Sequence, residues 1–338
     1  MKLKTLLLLV SLIAYQAYAQ VSVSSKHIGP SANFENGVLE KFKKSTTVFV
    51  LSNIYEKEVY ENILKASWTV TPYKVVMLPD FKIEDYWGND YSIVRLSGFK
   101  RIKQMKYGGE SVSLFTYMDF AMYDSNTIVK ELKELSPKKK ERKLEKIIKS
   151  NTTNVARFYL YAGFPFTAMQ GRKMDEAMHL MYNEKVIYNY SPGFLKNYFQ
   201  KINQLLIDEE VYWMYQDSYL AELQNLSNST LYIPSYLTTD YNNLTDEKLQ
   251  KVFKHYDYNY EVIADEELSS KIMNNEEVHY LRYARMNAEQ FIQVVNSRTG
   301  EIVYSNYIEG TIQYSIKAKH IEAISNAIKK SSKQKTDS

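Results

Sequence analysis

Five histidines, His27, His179, His255, His279 and His320, are the first residues to weigh for chemistry. None stands in His-x3-His or His-Glu-x-x-His, the spacings that set two imidazoles on one helical face for zinc, so no metal is expected. A phosphate-cradling Gly-x4-Gly-Lys loop and a Gly-x-Ser-x-Gly nucleophile turn are also missing from the sequence, and with them the usual supports for nucleotide hydrolysis and serine-hydrolase chemistry. Acid pairs occur at Glu209-Glu210, Asp265-Glu266-Glu267 and Glu276-Glu277. A glycosidase needs two carboxylates about 5–10 Å apart on either side of a sugar. Sequence neighbours point in different directions, so these pairs read as solvated charge. Catalytic residues are therefore unassigned, and no cofactor is expected.

Binding chemistry has better material. Arg95 sits in "YSIVRL" and Arg282 in "VHYLRYARM", each a basic residue among apolar strand neighbours. An arginine at such a place lays its stem on a sheet while its guanidinium meets an acid or carbonyls, with Asp80, Asp85 and Asp265 as candidate partners. The functional alternative is a pair of anion-binding arginines, one per lobe. In "DYWGNDY", Tyr86 and Trp87 precede a Gly-Asn turn and could stack on a sugar or dock a partner; core packing is the competing explanation. The candidate ligand-binding set is thus Arg95, Arg282, Tyr86 and Trp87. The run "KKKERK" mixes both charges and reads as a solvated helix face.

The chain's ends and composition bound the class. "MKLKTLLLLVSLIAYQAYAQ" has a positive start, a short apolar run and an Ala-x-Ala site before Gln20, the pattern of a secretory signal peptide over 1–19. The expected location is the periplasm or beyond, with no membrane span left after cleavage. Cys is absent, which excludes disulfides, thiolate metal sites and a cysteine nucleophile. Without Lys2 and Lys4, 41 basic residues face 39 acids, a net charge of +2 that gives no reason to expect nucleic acid.

These candidates hang on strands and helices that occur twice. "STTVFVLSN" (strand), a helix near 56–65, "YKVVML" (strand), "PDFKIEDYW" (short helix or turn), "YSIVRLSGF" (strand) and "SVSLFTYMDFAMYD" (strand or strand pair) form one series. "NSTLYIPS", "TDEKLQKVFKHY" with Thr245 as N-cap, "YEVIAD", "EELSSKIM", "VHYLRYARM" and a hairpin turning at Thr299-Gly300 form the second. One offset, 260 − 73 = 187, carries Tyr73 to Tyr260, Val75 to Val262, Phe81 to Leu268, Val94 to Leu281 and Arg95 to Arg282. The fold class expected is α/β, two related βαβαββ-like units with a helical insertion between them.

In segments, 20–44 is a polar lead-in, 45–123 the first unit, 124–227 the insertion, 228–330 the second unit and 331–338 a disordered tail. The insertion holds a charged helical pair broken at Pro137, a strand in "VARFYLYAGFPF", and a helix capped by Ser191 with Pro192 at its first position. Phe194, Tyr198, Ile202 and Leu205 give that helix one apolar face.

The signal peptide, "SWTVTPYKVVMLPDF" and "QVVNSRTGEIVYSNYIEG" resemble exported proteins of Bacteroidota without an assigned role. The repeated unit is similar to the α/β domains of envelope-assembly proteins such as the TolB amino-terminal domain. The duplication, together with the absence of catalytic signatures, leads to the expectation of an exported, non-enzymatic binding or envelope-assembly protein, with an envelope protein or a glycan as partner. A glycan-acting enzyme, with acids and aromatics converging in a cleft between the lobes, is the alternative from a different class.

Overall fold

The computed structural model describes residues 20–27, 31–104, 108–163, 166, 174–215, 217–238, 244–286, 289–308 and 315–334. Residues 1–19, over which a signal peptide is expected, and the final 335–338 lie outside them. Twelve strands among these residues make two six-stranded mixed sheets. The first contains β1 (Val21–Val23), β2 (Thr46–Leu51), β3 (Tyr73–Met77), β4 (Tyr91–Gln104), β5 (Glu110–Tyr123) and β6 (Thr152–Tyr159). Its order is β1-β6-β5-β4-β2-β3. The second contains β7 (Ser218–Tyr219), β8 (Leu231–Pro234), β9 (Tyr260–Ile263), β10 (His279–Met286), β11 (Glu289–Asn296) and β12 (Ile302–Ile308). Its order is β7-β12-β11-β10-β8-β9, the first sheet's order with every strand replaced by its counterpart six places on.

The copies agree in register as well as order. Thr47 on β2 lies opposite Tyr73 and Ser92, and Leu231 on β8 lies opposite Tyr260 and His279. Arg95 faces Asp119 across β4 and β5, and Arg282 faces Gln293 across β10 and β11. A bulge interrupts β5/β6 between Phe120 and Ala121, and another interrupts β11/β12 between Val294 and Val295. Each bulge thus begins one residue after the partner of the arginine. Side-chain period in a strand is two, so a one-residue slip would invert every face; agreement at four strand pairs and a bulge fixes the two sheets as copies of one unit.

The unit is longer than 45–123. Its first sheet takes β1 from the polar lead-in and β6 from the insertion segment. Val21, Ser22 and Val23 are fully buried because β1 pairs with β6 and is sealed by a backbone exchange with Tyr212. The charged pair is α3 (Ser125–Lys133) and α4 (Pro137–Ser150), with Pro137 at the first position of α4. The 78–85 stretch forms two 3-10 turns, where the second unit has a true helix, α8 (Asp265–Met273). The remaining helices are α1 (Val38–Lys44), α2 (Lys57–Ser67), α5 (Met174–Asn183), α6 (Pro192–Ile207), α7 (Asp246–Phe253) and α9 (Ala318–Gln334). α9 runs on through 331–334 with Ser331 buried, so the ordered chain extends past 330.

After the last strand of each unit a helix returns over the sheet. α6 packs on α2 and β1 in the first unit, and α9 packs on α7 in the second. Ser191 caps α6 by accepting from the Phe194 amide, with Pro192 at the first position. Thr245 precedes α7 without a side-chain capping bond.

Sequence spacing gives α6 one apolar face, but the helix is buried almost all round. The reason is that both copies use it. On the first sheet, Phe199 meets Phe49, Phe120 and Phe158 edge-on at 5.3–6.3 Å. Toward the second sheet, Phe194 packs edge-on against Tyr280 at 5.3 Å, and Tyr280 Oη donates to Asn197 Oδ1. Polar side chains on the buried face are each matched over long sequence distances. Asn197 Nδ2 donates to the Ser297 carbonyl, Lys201 Nζ pairs with Glu301 at 2.8 Å, and Asn203 Oδ1 accepts from the amides of Thr69 and Val70. Lys196 Nζ donates to the Ile272 carbonyl in the last turn of α8, where the helix dipole favours a cation. Burial lowers the Lys196 pKa.

Candidate functional site

Both arginines fall at one position of the repeated unit, and from each a polar row crosses the sheet. In the first unit the row is Arg95, Asp119, Arg157 and Ser22, on β4, β5, β6 and β1. In the second it is Arg282, Gln293, Ser305 and Ser218. Charge alternates plus, minus, plus in the first row. In the second, Gln replaces the acid and Ser the outer arginine.

The first row is internally matched. Arg157 Nε and Nη2 both donate to Asp119 Oδ1 at 3.0 Å, and the guanidinium carbon lies 3.6 Å from the centre of the Tyr117 ring. Burial pushes the Asp119 carboxyl up, while Arg157 and, more weakly, Arg95 pull it back. Half-buried Arg95 faces Asp119 across the strands, so its acidic neighbour is neither Asp80 nor Asp85, which are exposed. His27 Nδ1 lies 3.1 Å from Ser22 Oγ at the row's end. Burial, and then Arg157, hold its imidazole well below the usual range.

The second row is not matched. Arg282 is 1 % exposed, and its Nε donates to Gln293 Oε1 at 2.9 Å. Nη1 and Nη2 find no hydrogen-bond partner among the described residues, and neither do Gln293 Nε2 and Ser305 Oγ. The Tyr280 hydroxyl interacts with the guanidinium electrostatically, while Nη1 and Nη2 are left without a hydrogen-bond partner among the described residues. The Tyr198 ring of α6 lies 4.2 Å below Arg282, and Phe158 of the first sheet stacks on Tyr198 at 4.3 Å. A Phe158–Tyr198–Arg282 pile therefore joins the two copies. Asp265 is engaged elsewhere: its Oδ1 accepts from the Tyr236 amide.

The junction between units, where a polar cleft is one expectation, is packed with aromatic side chains. Tyr161 meets Tyr236 and Tyr283 at 6.2 and 5.6 Å, and all three are buried. The acids of the three pairs do not converge there. Glu209, Glu210, Glu266, Glu267, Glu276 and Glu277 are exposed. Among the described residues no group of His, Asp and Glu could hold a metal ion.

Tyr86 and Trp87 are both half-buried at the first unit's surface. Tyr86 spends one ring face on Phe81, stacked at 5.8 Å, and receives Tyr91 edge-on at 5.4 Å. It lines a groove of about 710 Å³ between α2 and β3, together with Lys57, Glu61, Lys65, Lys74 and Asp80. Trp87 does not line that groove, and Arg95 and Arg282 lie elsewhere, so the four candidate residues form no single site. No helix among the described residues is long and apolar enough to cross a membrane.

Asp119, Arg157, Gln293 and Ser305 were not singled out by sequence reasoning. A signal for the inner pair existed: two hairpins, one turning near Gly108-Gly109 and the other between β10 and β11, put Asp119 and Gln293 opposite the arginines. Comparison with family models, with curated proteins and with solved structures returns no match for this chain.

Proposed function

We propose that this is an exported, non-catalytic binding or assembly protein of the cell envelope that engages its partner along the groove beside β3. The observation that supports the reading is an open strand edge next to that groove. Among the described residues β3 ends the first sheet and pairs with β2 on one side, leaving its outward backbone groups to an added strand. Lys57, Lys65 and Lys74 outnumber Glu61 and Asp80 around it, which favours an acidic extended segment. Burial of Asp119, Asp265 and His27 is accompanied by hydrogen bonds within the scaffold, which supports structural roles for these groups ahead of acid–base chemistry.

The test is charge reversal at the edge. Lys65→Glu with Lys74→Glu is expected to release the chain from the envelope fraction while its thermal transition stays in place. Undiminished retention would refute the groove assignment. The exported chain should begin at Gln20 by N-terminal sequencing. Turnover of any member of a polysaccharide panel would replace a binding role with an enzymatic one.

A further inference from the structure

The unspent groups of the second row are donors. A guanidinium nitrogen and an amide NH2 have nothing to accept with, and a serine hydroxyl can donate as readily as accept. Four such atoms, Arg282 Nη1 and Nη2, Gln293 Nε2 and Ser305 Oγ, belong to side chains of residues that are 0–1 % exposed. What the row lacks is an acceptor for these atoms, and the carboxylate that pairs with Arg157 in the first row has no counterpart in the second, where the cross-strand partner of Arg282 is the neutral Gln293. Burying an unpaired guanidinium is costly, and a neutral water would supply hydrogen bonds without offsetting the charge.

The first unit indicates what belongs there. At the position of Gln293 it has Asp119, whose carboxylate takes two bonds from Arg157. The second unit has lost that acid and has also exchanged the long Arg157 side chain for Ser305 at the row's next position. One negative and one positive charge are gone, the remaining guanidinium is uncompensated, and the outer end of the row is shorter.

We propose that the second unit holds a small monovalent anion, of the halide class, between the Arg282 guanidinium, the Gln293 amide and the Ser305 hydroxyl. Size and charge set the class. The residues around the row are closed to solvent, with Tyr198 of α6 covering one face of the guanidinium, so a bulky oxyanion or a carboxylate borne on a larger molecule has no way to lie there. A single guanidinium balances a single charge. The anion takes the place of the carboxylate that the first unit supplies from its own chain, and it strengthens the junction where Arg282 meets α6.

The experiment uses the full exported chain, freed of halide by dialysis into sodium gluconate. Its thermal midpoint is compared in gluconate and in bromide at equal ionic strength, for wild type and for Gln293→Asp, which restores the first unit's acid. Bromide is expected to raise the wild-type midpoint by about 3–6 °C. Gln293→Asp should show no bromide dependence. Crystals grown in bromide should show anomalous density between Arg282, Gln293 and Ser305, a readout that stands even if the variant does not fold. Equal midpoints in the two salts, a bromide effect undiminished in Gln293→Asp, or bromide found at surface sites alone would each overturn the proposal.

Discussion

Asp119→Asn removes a charge from the middle of the first row while keeping an oxygen near the donors of Arg157. In the native protein, Oδ1 accepts from Nε and Nη2 of Arg157 at 3.0 Å, and Arg95 lies across the strands on the other side. Two unit charges 4 Å apart interact by about 4 kcal/mol at the effective dielectric of a protein site. Breaking a buried pair from one side costs about 3–5 kcal/mol, because the other charge is left uncompensated. Here the Asn leaves two arginines on one face, so the expected loss is at the upper end of that range. Asp119→Leu combined with Arg157→Leu removes both members and should cost less than Asp119→Asn alone. Urea unfolding with unchanged m-values is the assay. A loss below about 1 kcal/mol for Asp119→Asn, the size of an exposed ion pair, would refute the claim that the row is a buried electrostatic unit.

Further outcomes follow from the helix that both units use and from the buried imidazoles. Gly300 turns the β11–β12 hairpin at φ 74°, and a Cβ there would sit 2.6 Å from the Asn197 carbonyl oxygen of α6. Gly300→Ala should therefore cost about 2–4 kcal/mol in urea unfolding through combined strain and overlap, and a neutral result would mean that the hairpin does not clasp α6. His320 is held down to about 4, by burial first and then by Lys319 and Lys317, and His27 is lowered in the same direction. The unfolded chain binds more protons than the folded one below the ordinary histidine value of 6.5, so stability should be complete above that pH and fall steadily toward pH 4. His320→Gln should flatten that slope in pH-dependent thermal melts, since it removes the imidazole that takes up a proton on unfolding and whose Nδ1 accepts from the Lys317 amide in the folded chain. An unchanged slope would show that other groups carry it.

The duplication was legible because a constant offset holds through β3, the following connection and β4, and strand register preserves phase. The hairpin at Thr299-Gly300 and the cap at Ser191 were legible for local reasons: a left-handed glycine and a side-chain oxygen two or three residues from its amide. β1 was not. Three residues carry no periodicity, and their burial comes from pairing with β6 more than 130 positions away. The second buried side of α6 was hidden for a similar reason. Lys196, Asn197, Lys201 and Asn203 fall outside the apolar spacing, and nothing near them in sequence announces the carbonyls, carboxylate and amides that they meet. Arg95 and Arg282 could be picked out, but the content of their rows depended on cross-strand partners. The difference between an internal carboxylate at Asp119 and an amide at Gln293 has meaning only once both are known to occupy one position.

The central structural claim is that the unit was copied while one helix, α6, came to serve as core for both copies. Scanning calorimetry of the intact chain tests it most directly. A shared core predicts a single transition whose calorimetric enthalpy equals its van't Hoff enthalpy. Two resolved transitions, with Gly300→Ala moving just one of them, would show that the copies fold as separate bodies and that α6 belongs to the first alone.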